Sequence, residues 1–226
     1  MRLIMTQNKL FRNNLILLIC LLIFVFFYPE LSVHRKIMLN IIFTAIILSS
    51  TFSLEFSEKK QNILIGFGIA TIFLIWIDLF IANEFLGVTI LFFFFCFNAF
   101  ITVFMIRHIA RSENVTSIIL INSVNGYLLI GILGAVLLAM IEKLREIVFN
   151  LDAGVINFAG STAQGFHDYI YFSFVTMTTL GYGDVTPVSS SAKSITIIIA
   201  VTGQLYLTIL VAMLVGKFLG RTKEFK

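Results

Sequence analysis

Six stretches of the chain carry no Asp, Glu, Lys or Arg: residues 13–29 (17 residues), 37–54 (18), 61–77 (17), 85–106 (22), 114–141 (28) and 194–216 (23). A helix that crosses a bilayer needs about 20 predominantly apolar residues, within a range of about 17–25. In a chain of 226 residues six such stretches leave little else. Composition agrees: 59% of the residues are hydrophobic and 12% are charged, against roughly 45–50% and about 25% in a soluble domain. The expectation is an all-α membrane protein with six transmembrane helices. Twelve residues precede the first stretch and ten follow the last, so no folded cytosolic domain is expected at either end. Arg2, Lys9 and Arg12 ahead of an apolar run imitate a signal peptide. Phe26, Phe27, Tyr28 and Pro29 follow instead of a small-x-small cleavage site, so the run reads as a span.

The charges orient the spans. With the N-terminus in the cytoplasm, eleven Lys and Arg fall inside and five outside (Arg35, Lys36, Lys143, Arg145, Lys193), while four acids fall inside and eight outside. That asymmetry follows the positive-inside rule and puts both termini in the cytoplasm of a multi-pass protein of the cell membrane. The short tails suit a bacterial inner membrane. The basic balance is thus a topology signal, which leaves no nucleic-acid partner, and the acidic outer rim concentrates cations locally. Cys20 and Cys96 fall inside spans, where neither a disulfide nor a thiol metal site is expected. His34, His108 and His167 show no ligand spacing, and the Asn114-Val115-Thr116 sequon lies on the cytoplasmic side. No paired acids, His cluster or activated nucleophile occupies the spans, so no enzyme is expected.

Spans one to four run approximately 14–29, 37–54, 61–82 and 85–107. The fifth, about 115–141, carries Gly126, Gly131 and Gly134, small residues that let helices approach closely in lipid. A long polar connection, 142–168, leads into residues 169–183, which are uncharged for 15 residues and end at Asp184. That run is too short to cross and its glycines break a helix, so it reads as re-entrant. Irregular backbone at membrane depth is tolerated only against protein or a watery cavity, which points to a pore between the fifth and sixth spans.

The segment is Thr178-Thr179-Leu180-Gly181-Tyr182-Gly183-Asp184. A dehydrated monovalent cation needs oxygen ligands in place of its water shell. Successive main-chain carbonyls supply them if they all turn to one axis, which demands alternating backbone handedness. Glycine enters positive φ without steric cost, and Gly181 and Gly183 alternate with Leu180 and Tyr182, whose side chains point away as a cuff. The Thr179 hydroxyl adds a ligand at the inner end. Residues 167–178 are long enough for a three-turn helix whose C-terminal dipole, about half a negative charge, faces the cavity. Asp168 complements its opposite pole.

Residues 166–187, preceded by Gly165, resemble the pore helix and selectivity filter of potassium channels, whose usual signature is Thr-Val-Gly-Tyr-Gly-Asp. Leu180 replaces the commoner Val. Gly203, 20 residues beyond Gly183, stands where that family often has its inner-helix hinge. Gly203-Gln204-Leu205-Tyr206-Leu207 and Leu210-Val211-Ala212 are similar to the inner helices of small prokaryotic channels. The specific likeness covers about 166–217; the first four spans match only in number. The resemblance implies K⁺ as the permeant ligand, held by the main-chain oxygens of Thr179, Leu180, Gly181 and Tyr182, with Gly183 closing the filter and no catalytic cofactor. It also implies that Asp184 accepts a hydrogen bond behind the filter from Tyr171, which stands where many members have Trp. Phe172 occupies a second donor position and has no donor group, leaving Thr176, beside Thr178, as the candidate support. Gln204 either lines the cavity or hydrogen-bonds a neighbouring helix. Leu207, Val211 and Val215, spaced by four, line either the pore below the cavity, where they could gate by dewetting, or lipid.

One filter segment per chain must be repeated fourfold to ring an ion, so a C4 homotetramer is expected. The chain divides into a four-helix peripheral module (1–114), a pore domain (115–220) and a cytoplasmic tail (221–226). Six-span voltage-gated channels carry a basic fourth span, each charge being worth about 2.3 kcal/mol per 100 mV. Here 85–106 is uncharged and Arg107 and Arg111 follow it, so voltage dependence is expected to be weak or absent. Asp78, close to Trp76 near the outer end of the third span, is the one acid inside a span, and the second span offers no acidic partner either. A ligand stimulus would need a separate regulatory subunit or a site within the membrane. The expected function is passive, potassium-selective conduction; a non-selective cation channel and a non-conducting scaffold subunit are the alternatives.

Overall fold

The computed structural model describes residues 2–27, 35–54, 58–81, 83–149, 154–158 and 165–223. The end of the first expected span (28–29), His34, parts of the 142–168 connection and tail residues 224–226 lie outside the described residues. Four helices, α1 (Arg2–Phe27), α2 (Arg35–Thr51), α3 (Glu58–Ile77) and α4 (Glu84–Arg111), lead into α5 (Ser117–Phe149). A short strand β1 (Ile156–Phe158), helix α6 (Phe166–Met177), strand β2 (Val185–Pro187) and helix α7 (Ser190–Lys223) follow. By length and apolarity α1, α3, α4, α5 and α7 are long enough to cross a membrane. The apolar α2 has 17 residues, a rise of about 25 Å. Helix α6, with 12 residues, rises about 18 Å, well short of a hydrocarbon core of about 30 Å.

The helices overrun the charge-free stretches. Helix α5 continues to Phe149 through Glu142, Lys143, Arg145 and Glu146, so the connection expected over 142–168 begins only after that turn. Glu, Lys and Arg are good helix formers, and an exposed charged turn extends a helix already nucleated. Where stop signals exist they act locally. The Asn83 side chain accepts the Phe85 N–H at 2.9 Å to start α4, and Ser112 leaves the helix in extended backbone (φ −64°, ψ 131°). The Ser189 hydroxyl accepts the Ala192 N–H at 3.2 Å and starts α7 four residues before 194. Unforeseen in the sequence, β1 and β2 pair antiparallel, Asn157 opposite Thr186.

Helix α5 is the central element, packed on α1, α4, α6 and α7. Its glycines are contact points: a Cβ at Gly126 would meet the Tyr206 ring, at Gly131 the Phe174 ring, and at Gly134 Ser173 and Ile199. Close approach of this kind drives helix association in lipid, where apolar burial gives no advantage. Polar side chains add to it. Buried Asn14 donates to Ser53 O at 2.8 Å, and buried Asn125 donates to Asn14 O at 3.0 Å, tying α1 to α5. An aromatic group joins α1, α2 and α4 to α6: Phe43 stacks on Phe94 (centroids 4.2 Å apart) and meets Phe24 and Phe166 at 5.3 and 5.9 Å.

Candidate functional site

Helix α6 begins at Phe166, one residue earlier than the sequence suggests, and Thr178 caps its end in αR backbone. Asp168 closes the first turn by accepting the Gly165 N–H at 2.9 Å, and its other oxygen lies 2.9 Å from His167 Nε2. Two anchors fix the helix. The buried Ser173 hydroxyl donates to Gly131 O on α5 at 2.7 Å. Met177, fully buried, lies against Gly203 of α7, where a Cβ would meet the Met177 side chain and carbonyl. Helix α7 runs unbroken through Gly203, which in this structure is a point of close approach.

Past the helix end the backbone alternates in handedness. Thr179, Gly181 and Gly183 have φ of 62°, 54° and 82°. Thr179 is the only non-glycine with positive φ among the described residues, an unfavourable conformation for a β-branched side chain that persists only where the surroundings fix it. What fixes it is a set of main-chain hydrogen bonds. The Thr179 N–H donates to Thr176 O at 3.0 Å, and the N–H groups of Leu180 and Gly181 both donate to Val175 O, at 3.0 and 3.3 Å. No peptide here is cis, and in a trans peptide the carbonyl opposes the N–H. With three successive N–H groups turned to the end of α6, the carbonyls of Thr178, Thr179 and Leu180 turn away from it. The Thr179 hydroxyl donates to Thr178 O at 2.6 Å.

At the far end of this segment the Tyr171 hydroxyl donates to Asp184 Oδ2 at 2.6 Å. That bond pushes the Tyr171 phenol up to about 12, so it stays protonated and donating through the physiological range. Thr176 is half-buried, and its carbonyl is the one that receives Thr179. The Leu180 and Tyr182 side chains are 54% and 67% exposed, so their cuff is not packed within the chain. On α7, Gln204 is exposed and forms no hydrogen bond with the described residues; Val211 and Val215 are exposed, while Leu207 is half-buried against the core.

Several positioning contacts escape sequence reasoning. Tyr206, buried, donates to Ser123 O at 2.7 Å across the space Gly126 leaves. Lys217 Nζ donates to Ile109 O and Ala110 O at 2.9 and 3.2 Å, tying the far end of α7 to the last carbonyls of α4. The acceptors are main-chain oxygens, which no side-chain pattern reveals; only the small residues of α5 mark where two of these helices meet.

The family described as "Ion channel" matches residues 128–219, the region holding most of α5 and all of α6, the alternating segment and most of α7. Two-pore potassium channel 4 of Arabidopsis thaliana is 40% identical over 62 residues, 27% of this chain and 22% of that protein. The human potassium voltage-gated channel subfamily A members 5 and 4 are 35% and 32% identical over 98 residues, 38% of this chain and 16% and 15% of their own. The chain therefore spans about a fifth or less of the length of these curated relatives. No solved structure matches the chain.

Proposed function

We propose, from the premise that residues 128–219 belong to the pore-loop superfamily of potassium channels, that four copies of this chain surround a potassium-selective pore and conduct K⁺ passively. Six helices span the membrane with both termini in the cytoplasm, and α6 enters from the outside and turns back. The observation that carries this reading is the triple anchorage of the Thr179, Leu180 and Gly181 N–H groups on Thr176 O and Val175 O, which leaves consecutive carbonyls facing one side. Repeated about a fourfold axis, such carbonyls, continued through Tyr182, replace the hydration shell of K⁺. Tyr171 and Asp184 brace the segment from behind, with Thr176, Thr178 and Gly183 setting its ends. Gln204 lines the cavity, Leu207, Val211 and Val215 narrow the route below it, and bending of α7 centres on Gly203. Helices α1–α4 support the pore and sense little of the field, because Arg107 and Arg111 lie at the end of α4.

The test is potassium flux from liposomes containing the purified protein. Flux blocked by barium and abolished in Gly181→Ala supports the pore. A bi-ionic potassium/sodium reversal potential near zero would make it a non-selective cation channel instead, and absence of flux from folded protein would leave a scaffold subunit.

A further inference from the structure

Between the first four helices and the pore domain, at the end of the bundle where α2 and α4 begin and α5 ends, lies a half-open cavity of about 340 Å³. Its charges are partly spent. Lys36 Nζ sits 2.8 Å from Asp78 Oδ2 and donates to the Asp78 carbonyl at 2.8 Å, so this pair is neutral toward the cavity. Lys143 is drawn aside: its ammonium lies on Gly87, where any Cβ would collide with it. Glu142 gives one oxygen, Oε2, to the Val155 N–H at 2.8 Å, and Glu146 makes no hydrogen bond or ion pair among the described residues. Among the cavity's lining residues two carboxylates, Glu142 and Glu146, stand against Lys143, and Arg145 also acts on Glu142. The inner wall of the cavity is aromatic, formed by Phe43, Phe166 and Tyr169.

Tyr169 adds an independent sign of a ligand. The residue is 7% exposed and lines the cavity, yet its hydroxyl forms no hydrogen bond among the described residues. Its oxygen opens onto the cavity and is not one of the fully buried polar atoms left without a partner, so a donor seated in the cavity reaches it directly. Among the described residues no three carboxylate, His or Cys side chains are grouped to hold a metal ion, so a bare cation would lack ligands here. A cation with an organic body meets both features at once: its N–H groups reach the carboxylates and the phenol oxygen, and its carbon chain lies on the rings.

We propose that this cavity is a binding site for a primary ammonium group. The group comes either from a small free amine or from the ethanolamine headgroup of a lipid, and the site is separate from the ion path. Binding does not depend on conduction, so its failure and that of the pore reading are distinguishable.

The test uses full-length protein in detergent, with K⁺ held constant, titrated with n-butylammonium chloride by calorimetry. Tetramethylammonium, which has no N–H donors, and butanol, which has no charge, are the comparisons. The site predicts saturable binding of n-butylammonium only. Tyr169→Phe and Glu146→Gln weaken it by about tenfold each, the loss of one charge-assisted hydrogen bond, with unchanged elution volume and melting temperature in the absence of ligand. Gly181→Ala retains the wild-type affinity. In phosphatidylethanolamine nanodiscs, competition that is absent in phosphatidylcholine assigns the site to the lipid headgroup; equal affinity in both assigns it to a free amine. Absence of n-butylammonium binding, equal affinity in wild type, Tyr169→Phe and Glu146→Gln, or binding lost in Gly181→Ala alone would overturn the proposal.

Discussion

At the scale of single residues, two kinds of glycine serve two purposes, and their substitutions separate. Gly181 has φ 54° and open space where a Cβ would go, whereas Gly203 presses on Met177. Within the chain Gly181→Ala therefore acts through backbone strain, about 1–2 kcal/mol per copy. It is expected to abolish potassium flux while the protein still purifies as a folded assembly. Gly203→Ala forces α7 away from α6, an overpacking effect of about 1–3 kcal/mol, and is expected to lower the melting temperature as well. The Tyr171–Asp184 bond belongs to the same scale. Tyr171→Phe removes the donor and is expected to hasten the decay of current during sustained opening; unchanged kinetics would count against a bracing role. The phenol's value is raised from the ordinary 10 to about 12. The bond is therefore fully present below pH 10 and is lost only as pH rises through 12. Wild-type decay is accordingly expected to be independent of external pH between about 6 and about 9 as far as this bond governs it.

At the scale of elements, helix contacts inside the bilayer rest on small residues and on a few hydrogen bonds across helices. Ser173→Ala removes the bond to Gly131 O and is expected to cost about 0.6–1.7 kcal/mol, read as a lower melting temperature with α6 otherwise in place. The sequence marks well where the chain leaves lipid and poorly where a helix stops. The turn holding Glu142, Lys143, Arg145 and Glu146 is both the end of an apolar run and the continuation of α5, because charge is penalised by hydrocarbon and not by helical backbone. Strands β1 and β2 are three residues each, too short for alternation to register. Residues 178–184 are legible for the opposite reason: their backbone needs a residue type, glycine, that can be read directly. The positive φ of Thr179 is not legible, since nothing in a threonine announces it. Nor is the Tyr206–Ser123 contact, which ends on a main-chain oxygen.

At the scale of the whole molecule, α4 is uncharged from Phe85 to Ile106 and carries Arg107 and Arg111 only in its last turns. With so little charge inside the field, the conductance–voltage relation of the reconstituted protein is expected to be shallow; a steep one would reassign α1–α4 from support to sensor. The aromatic group of Phe24, Phe43, Phe94 and Phe166 seats the start of α6 on three peripheral helices. Displacement of those helices would thus reach residues 178–184 through α6 directly, without passing along the 112–116 link between α4 and α5.

The anchorage of Thr179, Leu180 and Gly181 N–H groups on the oxygens of Thr176 and Val175 has an evolutionary corollary. Because every acceptor belongs to the polypeptide backbone, replacing the side chain at 175 leaves the anchorage of residues 179–181 intact. That position is free to drift, while the glycines two and four residues beyond Thr179 are not.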